Sequence, residues 1–101
     1  KIFIPVETNK EFHTYHTFVI QVDYRDQLRK FLGSHGIGTA IHYPTPIHLQ
    51  PAATNLGYVK GNFPVAEKQA NRIVTLPINQ YMTDEAVQYV ATTVNRFFEE
   101  I

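Results

Sequence analysis

His42 to Ala52 reads H-Y-P-T-P-I-H-L-Q-P-A, and the rest of the chain is organised around it. Pro44, Pro46 and Pro51 hold φ near −65° and push the residues before them into extended conformations, so the stretch is expected to be a stiff, non-helical arm. His42, Tyr43, His48 and Gln50 carry hydrogen-bonding groups along it, and a backbone stiffened in advance presents such groups at low entropic cost. Either these side chains meet a ligand, or the arm is a proline-rich surface connection with incidental histidines.

Before the arm, Thr17 to Val22 is β-branched and aromatic, with Phe18, Ile20 and Val22 alternating onto one face, which predicts a strand. Asp23 and Asp26 suggest a capped start to a helix over about Tyr24 to Ser34, whose apolar positions are Leu28, Phe31 and Leu32. Arg25, Arg29 and Lys30 should form its solvated face, and Gly36-Ile37-Gly38 should stop it. Thr39 to Tyr43 is then expected as a second strand, with His42 at its end either satisfied at the core edge or facing a ligand.

After the arm, no period of 2 or 3.6 is sustained up to Gly61, although Ala52 to Leu56 could form a helical turn, and Tyr58 reads as a lid over local apolar surface. Asn62-Phe63-Pro64 opens a helix with Pro in the first turn, and Ala66, Ala70 and Ile73 give it a narrow face. Ile73 to Ile78 alternates as a third strand, which Pro77 confines to a sheet edge or an early end. Thr83 caps a last helix, Asp84 and Glu85 complement its positive end, and Val87, Val90, Ala91, Val94, Phe97, Phe98 and Ile101 form a stripe expected to be core. The resulting fold class is α+β, a small sheet covered by helices.

At 101 residues the chain suits one core. Hydrophobic residues make up 44% and charged residues 18%, which excludes a disordered tail. A formal net charge of zero without a Lys/Arg cluster argues against nucleic acid. The absence of cysteine removes disulfides, thiolate catalysis and cysteine-held zinc, and is consistent with the cytoplasm. No apolar run approaches the ~18 residues of a membrane span. Lys1 to His13 reads as a linker into a domain over residues 14–101, and its apolar opening without Met suggests a piece of a longer polypeptide.

Catalytic chemistry is sparse. No G-x-S-x-G elbow or glycine-rich phosphate loop occurs, and Gly36-x-Gly38 lacks a third glycine. His13 and His16 have no third ligand at metal spacing, so no metal is expected. Lys1, Lys10, Lys30, Lys60 and Lys68 all sit in polar surroundings, unsuited to imine formation. The paired carboxylates Asp84-Glu85 and Glu99-Glu100 fall at helix ends, where solvation and the helix dipole explain them.

The runs G-I-G-T-A-I-H-Y-P-T-P-I-H-L-Q-P-A (Gly36 to Ala52), L-G-Y-V-K-G-N-F-P-V-A-E (Leu56 to Glu67) and L-P-I-N-Q-Y-M-T (Leu76 to Thr83) together resemble the carboxyl-terminal domain of the DegT/DnrJ/EryC1/StrS sugar aminotransferases. The resemblance implies the small domain of an aspartate-aminotransferase-like fold, in an enzyme that uses pyridoxal 5'-phosphate. The implied reaction moves an amino group, usually from glutamate, onto a nucleotide-linked keto-deoxy sugar, and the P-I-H-L-Q-P-A form looks most like members that act at the 3-position. It further implies a homodimer, an imine-forming lysine in an amino-terminal domain outside this chain, and a chain inactive by itself. By the same resemblance His42, Tyr43 and His48, with Gln50 beside them, are expected to contact the sugar or its diphosphate. The competing reading is a free-standing small-molecule-binding regulatory module without catalysis.

Overall fold

The computed structural model describes residues 1–101 and builds them around a three-stranded antiparallel sheet in the order β1-β2-β3. β2 (Phe18–Val22) lies in the middle, paired on one side with β1 (Ile2–Phe3) and on the other with β3 (Ile73–Leu76). The register sets Ile20 opposite Val74 and Phe18 opposite Leu76, so apolar side chains two residues apart share one face. Onto that face pack Leu28 and Leu32 of α1 (Arg25–Ser34), together with Val94 and Phe97 of α3 (Asp84–Glu100). Ile20, Val22, Leu28, Leu32, Ile37 and Val74 are almost wholly removed from water and form the centre of the core.

The opposite face of the sheet, with Val19 opposite Thr75 and Gln21 opposite Ile73, is turned toward the arm and toward α2 (Pro64–Ala70). The fold is thus a small α+β domain with two helices on one side of its sheet and an irregular, cleft-bearing layer on the other.

β2, α1 and β3 form where the residue pattern predicts them, and β3 is an edge strand that stops at Leu76, before Pro77. Gly36 adopts φ +75° after α1, and the Ile37 amide donates to the Leu32 carbonyl, closing the helix as expected. At α3 the Thr83 hydroxyl oxygen accepts from the Ala86 amide at 3.1 Å.

Several expectations are corrected. Ile2–Phe3, read as connection, joins the sheet opposite Val22 and Gln21. Asp23 does not cap α1: the position before the helix is Tyr24 with φ +59°, and the Asp23 carboxylate pairs with Arg72 at 3.1 Å. The arginines of α1 are not merely solvated, since Arg25 Nη1 donates to the Ala70 carbonyl at 2.7 Å and Arg29 Nε to Thr39 Oγ1 at 3.1 Å. α2 ends at Ala70, so Ile73 belongs to β3 and Ala66 is exposed. The stripe on α3 is core only in its second half. Val94 and Phe97 are buried, whereas Val87, Ala91 and Ile101 are exposed, and Val87, Val90 and Ala91 line an open apolar groove of about 350 Å³ with Phe18 and Leu76.

Candidate functional site

The expected strand over Thr39 to Tyr43 is reduced to one bridge, in which Ala40 and Thr75 exchange backbone hydrogen bonds of 3.2 and 2.8 Å. Beyond it the chain leaves the sheet. His42 Nδ1 lies 2.9 Å from Thr75 Oγ1, which anchors its imidazole to β3, and the His42–Tyr43 peptide is cis. Tyr43 meets His42 edge to face at 5.3 Å and is otherwise exposed.

The arm is not free of helix. It winds into two 3₁₀ segments, Ile47–Leu49 and Pro51–Leu56, which also realise the turn anticipated near Ala52. Pro51 starts the second, where a missing N–H has no intrahelical partner to lose. The Gln50 side-chain Nε2 donates to the Thr45 carbonyl at 3.2 Å and folds the arm back on itself.

Between the arm and the open face of the sheet lies a cleft of about 360 Å³. His42, Tyr43 and Gln50 face it from the arm, Gln69 from α2, and Val19 and Ile73 form an apolar floor. No lysine, arginine or carboxylate lines it. Such a surface offers neutral donors and acceptors above aliphatic groups, which suits a ring carrying hydroxyls and does nothing to neutralise phosphate.

His48 does not share this cleft. The short helical turn carries its ring inward, where it is 8% exposed. Its Nε2 sits 2.8 Å from Glu67 Oε1, and the same oxygen accepts from the Gly61 amide at 2.7 Å. The hydrogen bond from His48, followed by that from Gly61, holds the Glu67 carboxyl below the ordinary carboxylate range. Phe63 packs edge to face on His48 at 4.8 Å, and Tyr58 covers Phe63 at 5.0 Å, as a lid over apolar surface should.

Three of the four residues expected at the site therefore converge, and the fourth, His48, is buried against Glu67 instead. Gln69 and Glu67 were missed. Gln69 could have been found from the helical spacing that sets it beside Ala66 and Ala70 on one side of α2, whereas Glu67 reads in the sequence as an ordinary first-turn acid.

Fold and site together define a small α+β domain that holds an uncharged cleft between its arm, α2 and the open face of its sheet, with no lysine, arginine or carboxylate lining it. The chain belongs to the DegT/DnrJ/EryC1/StrS aminotransferase family, which it matches over residues 1–95. It is 37% identical over 97 residues to the pleiotropic regulatory protein of Geobacillus stearothermophilus, covering 96% of this chain and 26% of that protein. It is 35% identical over 96 residues to the dTDP-3-amino-3,6-dideoxy-alpha-D-galactopyranose transaminase of Aneurinibacillus thermoaerophilus, covering 95% and 26% of the two chains. The crystal structure of S. venezuelae DesV in complex with a ketimine intermediate superposes with a TM-score of 0.92 at 32% identity, over 99% of this chain and 27% of that one. The chain thus spans about a quarter of the length of these relatives.

The family is one of aminotransferases, and a related protein, Spr1654 of Streptococcus pneumoniae, is known in a pyridoxal-phosphate (PLP) form, with a TM-score of 0.84 at 26% identity over 98% of this chain and 26% of that one. The residues facing the cleft do not fit that cofactor: none can form an imine, none carries the positive charge its phosphate calls for, and Lys30, Lys60 and Lys68 are exposed elsewhere.

Proposed function

We propose that residues 14–101 are the carboxyl-terminal small domain of an aminotransferase that moves an amino group from glutamate to the 3-position of a nucleotide-linked keto-deoxy sugar. The stretch through His13 leads in from the rest of the polypeptide and lends β1 to the sheet on the way. Pyridoxal phosphate and the lysine that binds it belong to that remainder, so this chain alone is inactive. The enzyme works as a homodimer in the cytoplasm.

The observation that carries this reading is the uncharged cleft faced by His42, Tyr43 and Gln50. It supports contact with the hydroxyl-bearing sugar rather than with the diphosphate, because charge-assisted bonds to phosphate require cations the cleft lacks. Tyr43 can donate to a hydroxyl and cover the ring with its apolar face, Gln50 can donate and accept, and the anchored His42 keeps one nitrogen for the same purpose. His48 is proposed to serve the site by bracing the arm.

The test is amino transfer by the full-length protein, with glutamate and pyridoxal phosphate, on a panel of nucleotide-linked 3-keto and 4-keto sugars. The expected result is a 3-keto preference, with Tyr43→Phe raising the KM for the sugar several-fold and leaving that for glutamate unchanged. Exclusive use of 4-keto substrates would overturn the position of transfer, and no transfer to any nucleotide sugar would overturn the whole reading.

A further inference from the structure

We infer that Glu67 is a positioning residue whose carboxylate ties the two walls of the cleft together, clamping the arm to α2 through His48 and the Gly61 amide. This rests on the reading of the cleft as a sugar-binding wall. One wall is the arm, where Pro46 and Ile47 immediately before His48, and Gln50 two residues after it, all face the cleft. The other is α2, which brings Ala66, Gln69 and Ala70 to it. Glu67 lies on α2 between those residues, and its Oε1 takes hydrogen bonds from the arm at 2.8 Å and from the Gly61 amide at 2.7 Å.

The clamp is nearly dry. The side chains of His48 and Glu67 are 7% and 14% exposed, and the edge of Phe63 closes over the imidazole. The groups turned toward the carboxylate are the His48 ring and the N–H groups of Gly61 and Phe63, and no lysine or arginine pairs with it. A carboxylate so enclosed gains little from water, so its directional bonds decide where the arm sits. The connection through Gly57 and Gly61 has positive φ at both glycines and offers no regular ladder of its own. Releasing Glu67 therefore frees the arm wall while leaving the sheet and the α1–α3 core intact.

The experiment compares Glu67→Ala, Glu67→Asp and Glu67→Gln in the full-length protein by steady-state kinetics and by amide hydrogen exchange. Glutamine keeps an oxygen that can accept from both the Gly61 amide and the Nε2–H of a neutral His48, whereas aspartate keeps the charge but falls a methylene short. Glu67→Ala should raise the KM for the nucleotide sugar about tenfold, with kcat and the KM for glutamate within about twofold. Glu67→Gln should restore most of the loss, and Glu67→Asp should resemble Glu67→Ala. In the alanine variant the amides of Leu49, Gln50 and Gly61 should exchange on the order of ten times faster, while that of Val74 in the core keeps its rate. An unchanged sugar KM in an active enzyme, or unchanged exchange at Gln50 and Gly61, would overturn the inference. Should alanine unfold the core, the aspartate variant decides on the same readouts. A wild-type protein that aminates no nucleotide sugar would sink the functional reading, and the exchange rates would still judge the clamp.

Discussion

Thr75 Oγ1 lies 2.9 Å from His42 Nδ1, so the first imidazole of the arm is tied to the edge strand on the face of the sheet that the cleft opens over. Thr75 is itself buried and exchanges backbone hydrogen bonds with Ala40, two residues before His42. The edge strand thus aims the start of the arm at both backbone and side-chain level.

Thr75→Val keeps the β-branched shape and removes the hydroxyl. Stability should fall by about 1 kcal/mol, the usual worth of one such bond, as measured by urea unfolding. In the full-length enzyme the sugar KM should rise several-fold with kcat little changed. A variant with wild-type KM would show that the orientation of His42 does not matter to binding.

Two glycines three residues apart should respond oppositely. Gly33 lies inside α1 with open space where a Cβ would go, so Gly33→Ala should stabilise by about 0.5–1 kcal/mol. Gly36 closes that helix at φ +75°, so Gly36→Ala should destabilise by about 1 kcal/mol. Paired thermal melts would read both signs, and a like-signed result would contradict the helix ending described here.

Removal of the α3 cap by Thr83→Ala should cost about 1 kcal/mol and lower the Tm by roughly 4–8 °C in a domain of this size. Thr83→Asp should retain most of it, because its carboxylate can also accept from the Ala86 amide. Calorimetry on the two variants separates the lost hydrogen bond from a change in helix propensity.

The depressed Glu67 carboxyl sets an acid limit on the arm. Its folded pKa lies below that of the unfolded chain, about 4.3, so its contribution is complete above that value and is lost as pH falls through the lower folded one. Wild-type stability relative to Glu67→Gln should therefore be constant from about pH 6 to 5 and decline below about 4.3. Urea midpoints across that range would show it, and parallel curves would mean that the carboxylate is not held as described.

Much of this was legible in the residues. Period-2 alternation marked β2 and β3, period-3.6 spacing with Thr83 and Gly36 marked the limits of α3 and α1, and the proline run marked the arm. β1 was not legible, because two residues carry no period and are defined only by pairing across some twenty positions of sequence. Nor was the fate of the two arm histidines. They look alike in sequence, yet one is tethered at the mouth of the cleft and the other is buried against α2.

By itself the sequence determined that β2 and β3 are strands, that α1, α2 and α3 are helices, and where α1 ends and α3 begins, since these follow from local sterics, side-chain branching and the repeat of apolar positions. Only the tertiary structure decided that His42, Tyr43 and Gln50 meet at one cleft with Gln69, that His48 turns inward to Glu67, and that Val87 and Ala91 stay uncovered at the end of a core stripe. The physical reason is that burial and hydrogen-bond partnership belong to pairs of residues distant along the chain. A side chain's own type says what it can bond to, and the packing of the sheet, arm and α2 says which partner is within reach.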